Sequence, residues 1–114
     1  MIKMFETLFG SGTRSISPQQ AKARLTSGDP VVLLDVRTPE EYREVHIPHS
    51  ISLPLSRLKQ DAVTALPDKD AEIVVYCLSG GRSSSACSLL KAMGYTNVSN
   101  LGGIQSWRFE VERG

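Results

Sequence analysis

Two hydrophobic patterns alternate along this chain from Ser17 onward, and this alternation restricts its fold more than any other feature. Helix-type segments are separated by short apolar runs, the clearest of which are Val31–Val36 and Ile73–Tyr76. Runs that are apolar at nearly every position are typical of strands buried on both faces. The chain is therefore expected to form an α/β fold in which helices cover a parallel sheet.

Local signals place the remaining elements. The segments Ser17–Gln20 and Thr38–Glu41 each combine a capping box with a proline at the first helical position, so a helix is expected to begin at both. The first helix should reach about Thr26, and the second should end before Pro48. The other expected elements are strands near 51–53 and 97–100 and helices near 56–66, 82–93 and after Gly103.

Length and charge limit the class of protein. The 114 residues suit one compact domain, which we assign to residues 15–114, preceded by an extension over residues 1–14. Lysine and arginine total 13 against 12 acidic residues, which gives no basic excess for binding nucleic acid. Because we find neither an apolar run near the ~20 residues that cross a bilayer nor a secretory segment, we expect a monomeric cytoplasmic protein with no membrane partner.

Two cysteines, Cys77 and Cys87, differ in their sequence context. Cys77 follows an apolar strand and opens a glycine-rich stretch, whereas Cys87 lies among apolar neighbours in a helical pattern. We interpret Cys87 as a packing residue, and a redox role as the resolving partner of Cys77 is the alternative. Such different contexts do not suggest a disulfide framework, so a reducing compartment is expected.

The segment that follows Cys77 is suited to holding an anion. It consists of Cys77, Leu78, Ser79, Gly80, Gly81, Arg82 and Ser83. The glycines allow backbone N–H groups to turn inward, and the helix that begins near Arg82 adds the positive end of its dipole. Both effects stabilise a thiolate, a persulfide or a bound oxyanion. We therefore predict that Cys77 is a nucleophile.

Spacing separates two chemistries for this nucleophile. Cysteine-dependent phosphatases place five residues between cysteine and arginine, whereas four residues separate Cys77 from Arg82. The tighter ring should hold one extra sulfur atom on Cys77 better than it holds a tetrahedral phosphate ester. Sulfur transfer is therefore favoured, and arsenate or phosphate-ester chemistry is the less favoured alternative.

These residues resemble a known family, the single-domain rhodaneses, or thiosulfate sulfurtransferases. The loop from Cys77 to Ser83 is similar to the active loop of that family, and further matching segments follow the family's order across about residues 15–110. They are Leu34-Asp35-Val36-Arg37, Pro39-Glu40-Glu41-Tyr42, His46-Ile47-Pro48, Leu53-Pro54, Gly94-Tyr95 and Leu101-Gly102-Gly103-Ile104 with Trp107. The chain departs from the family at Val45 and His49, where glycine is usual. The resemblance implies a rhodanese-like fold with an open five-stranded parallel sheet and helices on both faces.

The resemblance also implies a function. Cys77 would take sulfane sulfur from thiosulfate or another persulfide donor and pass it on to cyanide, a thiol or a protein thiol partner. Residues Leu78 to Ser83 would bind the substrate, and neither a metal nor an organic cofactor is required. The alternative is a sulfur-carrier or docking module in a persulfide relay, which a protein partner loads and which turns over little thiosulfate.

Residues outside the loop are expected to support it. Asp35 ends a strand beside the one that delivers Cys77, so both should lie at the carboxyl edge of the sheet. Asp35 and Arg37 should pair with each other or with neighbouring groups, and so fix this edge rather than react. The sequence leaves open whether the Arg82 side chain faces the ligand or turns to a carboxylate. His46 and His49 lack the spacing of a metal site, so we expect structural roles for them.

Overall fold

The computed structural model describes residues 14–114, and residues 1–13, nearly all of the expected extension, lie outside the described part. The strands are β1 (Arg14–Ser15), β2 (Val31–Asp35), β3 (Ile51–Ser52), β4 (Glu72–Cys77) and β5 (Val98–Gly103). The helices are α1 (Pro18–Leu25), α2 (Pro39–Glu44), α3 (Leu55–Ala65) and α4 (Gly81–Ala92), and a 3₁₀ turn follows at Ile104–Ser106. No helix within residues 14–114 has the length and apolar character needed to cross a membrane.

The five strands form one parallel sheet in the order β1-β5-β4-β2-β3, which confirms the expected architecture. The apolar runs gave the two central strands, β4 and β2. No sequence pattern predicted the remaining strand, β1. It is only two residues long and lies at the edge of the sheet, where Arg14 pairs with Ser99. Within the described residues, the sheet therefore includes Arg14 and Ser15.

Both expected capping boxes are present and explain where α1 and α2 begin. The Ser17 hydroxyl accepts from the Gln20 N–H at 3.1 Å, and the Gln20 side chain accepts from the Ser17 N–H at 2.9 Å. Thr38 and Glu41 exchange the corresponding bonds at 3.2 and 3.0 Å. These bonds satisfy backbone donors that a helix start leaves free, so α2 is fixed at the edge of the sheet that carries the site.

Side chains of β4 alternate between two hydrophobic clusters, one on each face of the sheet. Ile73, Val75 and Cys77 belong to the cluster that includes residues of α3 and α4. Val74 and Tyr76 belong to the cluster on the other face, with residues of α1. This period of two confirms that helices cover both faces, and it directs the Cys77 side chain toward the α4 side.

The helix expected after Gly103 is present as one short 3₁₀ turn and not as an α-helix. The chain makes only the 3₁₀ turn, and Trp107 is extended, with φ −75° and ψ 124°. This turn is closed by the Trp107 N–H, which donates to the Ile104 carbonyl at 3.0 Å. The chain then reaches the segment after α2, where Glu112 forms an antiparallel bridge with His46.

Candidate active site

Cys77 is the last residue of β4, and its loop connects the sheet directly to α4. Gly80 is the residue before α4 and has φ +120°, a conformation that L side chains rarely adopt, so glycine is required for the turn. Asp35 pairs with Tyr76 across β2 and β4, which places Asp35 beside Cys77 at the carboxyl edge of the sheet, as the sequence predicted. Only 1% of Cys77 is exposed, so a reagent can approach its sulfur from one direction at most.

Hydrogen-bonding groups of the loop and of α4 converge on the Cys77 sulfur. The Gly80 N–H donates to Sγ at 3.0 Å, and the Ser83 hydroxyl lies 3.4 Å from Sγ. Burial alone would raise the pKa of the thiol, but hydrogen bonding outweighs burial and lowers it. The donors responsible are the Ser83 hydroxyl and then the N–H groups of Ser83, Gly80 and Ser79. The loop therefore favours a thiolate, chiefly through its backbone and one hydroxyl.

Gly103 allows this loop to pack against β5. A β-carbon at position 103 would lie 2.2 Å from the Leu78 carbonyl oxygen and 2.6 Å from the Ser79 α-carbon. The contact continues at Gln105, whose N–H donates to the Leu78 carbonyl at 3.3 Å. Gly103 was part of the sequence resemblance, but it was not expected to contribute to the site. The sequence feature that could have indicated this role is the pair of glycines, Gly102-Gly103, at the end of a strand.

The Arg82 side chain turns to a carboxylate. Its two terminal nitrogens donate to the two carboxylate oxygens of Glu41 at 2.7 and 3.0 Å. This bidentate pair lowers the pKa of Glu41 to about 2. Arg82 therefore joins the start of α4 to the first turn of α2, while its backbone N–H remains part of the loop. Sequence reasoning gave Glu41 a capping role only and did not identify it as the partner of Arg82.

Asp35 and Arg37 form a buried ion pair with each other, which is one of the two arrangements expected from the sequence. The Arg37 guanidinium donates to both Asp35 carboxylate oxygens, with the shortest contact at 2.6 Å, and the Arg37 N–H donates to Oδ1 at 2.9 Å. The same guanidinium donates to the Val45 carbonyl at 2.7 Å. The pair thus ties the end of β2 to the residue after α2, which positions Glu41 as well as the sheet edge.

The segment around His46 and His49, where the sequence departs from the family pattern, is held by contacts within the protein. His46 stacks on Tyr42 with ring centroids 3.8 Å apart, and its Nδ1 lies 2.8 Å from the Tyr42 carbonyl. His49 has φ +68°, a left-handed conformation that glycine adopts without strain, which accounts for the usual glycine at this position. Among residues 14–114, no group of three or more His, Cys, Asp or Glu side chains could hold a metal ion.

Cys87 lies in the same hydrophobic cluster as Cys77, but its pKa is shifted in the opposite direction. Burial first, and then the charge on Cys77, raise the pKa of Cys87 to about 12. Both cysteines are free thiols in this structure. Cys87 is therefore protonated at neutral pH and is not a competing nucleophile, which agrees with the packing role expected from the sequence.

Fold and site together define a class: small parallel α/β domains with a cysteine held in a donor-lined loop at the carboxyl edge of the sheet. The chain matches the family described as the Rhodanese-like domain over residues 17–110. It is 43% identical over 72 residues to Thiosulfate sulfurtransferase PspE of Escherichia coli (strain K12), a match that covers 63% of this chain and 69% of that protein. It is 40% identical over 93 residues to a protein named Sulfurtransferase from Allochromatium vinosum, covering 81% of this chain and 85% of that protein.

A solved structure supports the same family assignment. The structure described as rhodanese with anions from E. coli superposes with a TM-score of 0.70 at 38% sequence identity, and it covers 75% of this chain and 100% of that chain. This protein therefore belongs to the rhodanese-like family. The two relatives described above are named as sulfurtransferases.

Proposed function

We propose that this protein is a sulfurtransferase that carries sulfane sulfur on Cys77 as a persulfide. The observation that carries the proposal is the convergence of the Gly80 N–H and the Ser83 hydroxyl on a sulfur whose pKa is lowered. A thiolate is the reactive form of cysteine, and the same donors can hold the negative charge of a persulfide. The family membership and the names of the relatives support this chemistry.

The proposed reaction has two displacements. In the first, the Cys77 thiolate attacks the outer sulfur of thiosulfate or another persulfide donor, an S–S bond forms, and the donor's S–S bond breaks. The leaving group, sulfite in the case of thiosulfate, takes the electron pair. In the second, an acceptor such as cyanide or a thiol attacks the outer sulfur of the persulfide, and the Cys77 thiolate is regenerated. Backbone N–H groups from Leu78 to Ser83 stabilise the charge at each stage.

The proposal extends to the surroundings in which the protein works. Because the reaction starts from a reduced Cys77, a reducing compartment, the cytoplasm, suits it best. Because Cys77 is almost fully buried, the donor has to present its outer sulfur end-on rather than surround the cysteine. Small anions and the exposed persulfide of a protein partner both meet this requirement.

The decisive test is the intact mass of the protein after exposure to thiosulfate and then to cyanide. We expect the wild type to gain the mass of one sulfur atom, ~32 Da, and to lose it when cyanide accepts the sulfur. Cys77→Ser should remain folded and gain nothing, whereas the matched variant Cys87→Ser should behave as the wild type. A folded wild type that takes no sulfur from thiosulfate, but takes it from a protein persulfide, would instead identify the sulfur-carrier module. Hydrolysis of aryl phosphates would point to phosphatase chemistry.

A further inference from the structure

The positive charges at the sheet edge are paired within the protein. Arg37 is neutralised by Asp35, and both side chains are buried. Arg82, the arginine of the cysteine loop, is neutralised by Glu41 through two hydrogen bonds. Attraction for an anion at Cys77 therefore comes mainly from N–H groups and from the start of α4, whose dipole supplies only partial charges. A donor with two negative charges gains less here than it would beside an uncompensated guanidinium.

Glu41 is fixed in place as well as charged. Its Oε1 accepts from the Thr38 N–H at 3.0 Å and from the Thr38 hydroxyl at 3.1 Å, in addition to the bonds from Arg82. The bonds to Thr38 hold the carboxylate even when the Arg82 side chain moves. The Glu41 carboxylate is therefore held by two bonds from Thr38 that do not depend on Arg82.

Arg82 belongs to the same short loop as Cys77, with four residues between them, so its charge acts on an anion held in that loop. The pKa of Arg82 is raised first by its hydrogen bonds to Glu41 and further by the charge on Cys77. The two side chains are also only partly buried, with 35% of Arg82 and 27% of Glu41 exposed, so a bound anion could share the guanidinium. The carboxylate of Glu41 competes with such an anion.

We infer that Glu41 is a specificity-determining residue: by neutralising Arg82 it lowers the capture of dianionic sulfur donors and favours donors of low charge, such as organic or protein persulfides. This inference rests on the proposed sulfurtransferase activity. It concerns the choice of donor, because Glu41 contacts neither the Cys77 sulfur nor the loop N–H groups.

The variant Glu41→Gln tests this role with little disturbance of the fold. Glutamine at the third position of a helix serves a capping box as glutamate does, so the bond from Thr38 is retained while the charge is removed. The matched control is Glu40→Gln, in the same helical turn. It makes the same change in net charge, but its side chain is 76% exposed and lies 3.8 Å from Arg43 rather than beside the loop.

Two donors of different charge supply the readout. Thiosulfate carries two negative charges and releases sulfite, whereas methanethiosulfonate carries one and releases methanesulfinate, and each delivers one sulfane sulfur to Cys77. We measure kcat/KM for each donor with cyanide as the acceptor. Glu41→Gln should raise kcat/KM for thiosulfate about three- to tenfold and raise it by a smaller factor for methanethiosulfonate. Added salt should shrink the gain, because it screens exposed charges.

The possible results separate this inference from the proposed function. An equal change for both donors, or a loss of activity with both, would mean that Glu41 only supports the structure and would overturn the inference alone. An effect of the same size in Glu40→Gln would also overturn it, because net charge and not position would then be responsible. A wild type that is folded but inactive with both donors would overturn the proposed function and the donor preference together.

Discussion

The Ser83 hydroxyl can respond to the charge on Cys77. It lies 3.4 Å from Sγ and also donates to the Gly80 carbonyl at 3.0 Å. A hydroxyl has one proton and two lone pairs, so beside a neutral thiol it can accept from sulfur and donate to the carbonyl. When the thiol ionises, rotation about the C–O bond lets the hydroxyl donate to sulfur instead. Ser83 therefore stabilises the thiolate more than the thiol.

This argument predicts the effect of Ser83→Ala. Removing the hydroxyl should raise the pKa of Cys77, because Ser83 is the principal group that lowers it. The pH profile for alkylation of Cys77 by iodoacetamide should then shift to higher pH, and the rate at neutral pH should fall several-fold. Ser84→Ala is the matched control, since Ser84 is the next residue of α4 and is exposed. Identical profiles for Ser83→Ala and the wild type would contradict this role.

Residue-scale features differ in how much of them the sequence could predict. The loop of Cys77, the proposed nucleophile, could be located from the sequence because the cysteine and its glycines are contiguous and directly follow a strand. The pairing of Asp35 with Arg37 was also predictable, since the two are neighbours. The partner of Arg82 was not, because Glu41 is distant in sequence and already had a sufficient role in the capping box of α2. A side-chain direction of this kind depends on packing between elements, which local patterns do not contain.

At the scale of elements, an irregularity in β5 places Gly103 beside the site. The register between β4 and β5 shifts at Val75 and Tyr76, so that Tyr76 pairs with Gly102 and Cys77 with Gly103. The extra residue is accommodated by Gly102, whose φ is +92° and whose N–H is satisfied by the Asn100 side chain at 2.8 Å. The bulge brings the end of β5 against the cysteine loop, where only a glycine fits.

Gly103→Ala should therefore damage the site and the fold together. The added methyl group would overlap backbone atoms of Leu78 and Ser79, which cannot move without displacing the loop. We expect a loss of about 1–3 kcal/mol in the free energy of unfolding, the usual range for overpacking, together with slower sulfur transfer. Urea denaturation and the thiosulfate assay measure the two effects.

The control for that experiment is Gly81→Ala, at a position where an added β-carbon has nothing within 4 Å. It should not destabilise the fold, because alanine favours a helix more than glycine does. If Gly103→Ala were as stable and as active as the wild type, the close packing of loop and strand would not be important for the site.

The limits of prediction at this scale follow from length and polarity. β2 and β4 were predictable because strands covered on both faces need continuous apolar runs. β1 was not, because a two-residue edge strand buries no apolar face of its own. The helix expected after Gly103 is only one 3₁₀ turn long. The chain that follows it is held by Trp107, whose Nε1 donates to the Glu110 carbonyl at 3.0 Å, and local sequence patterns do not contain this contact.

At the scale of the whole molecule, ionic contacts connect segments that are far apart in the sequence. Glu41 of α2 holds Arg82 of α4, and Glu72 of β4 holds Arg24 of α1 at 2.7 Å. In each pair, hydrogen bonds from the arginine lower the pKa of the carboxyl group. The folded state therefore binds these protons more weakly than the unfolded chain does, which makes stability depend on pH.

The sign of this dependence can be tested at Glu41. Its pKa falls from an ordinary value of 4.5 to about 2 in the folded state. Such a group stabilises the fold fully above the unfolded pKa, and the stabilisation is lost as the pH falls through that interval. Calorimetry should therefore show a wild-type Tm above that of Glu41→Gln at neutral pH and a difference that shrinks between pH 4.5 and about 2. In Glu40→Gln, which leaves the pair intact, the Tm should follow the wild type throughout. A constant difference between Glu41→Gln and the wild type at every pH would show that the ion pair with Arg82 does not contribute to the stability of the fold.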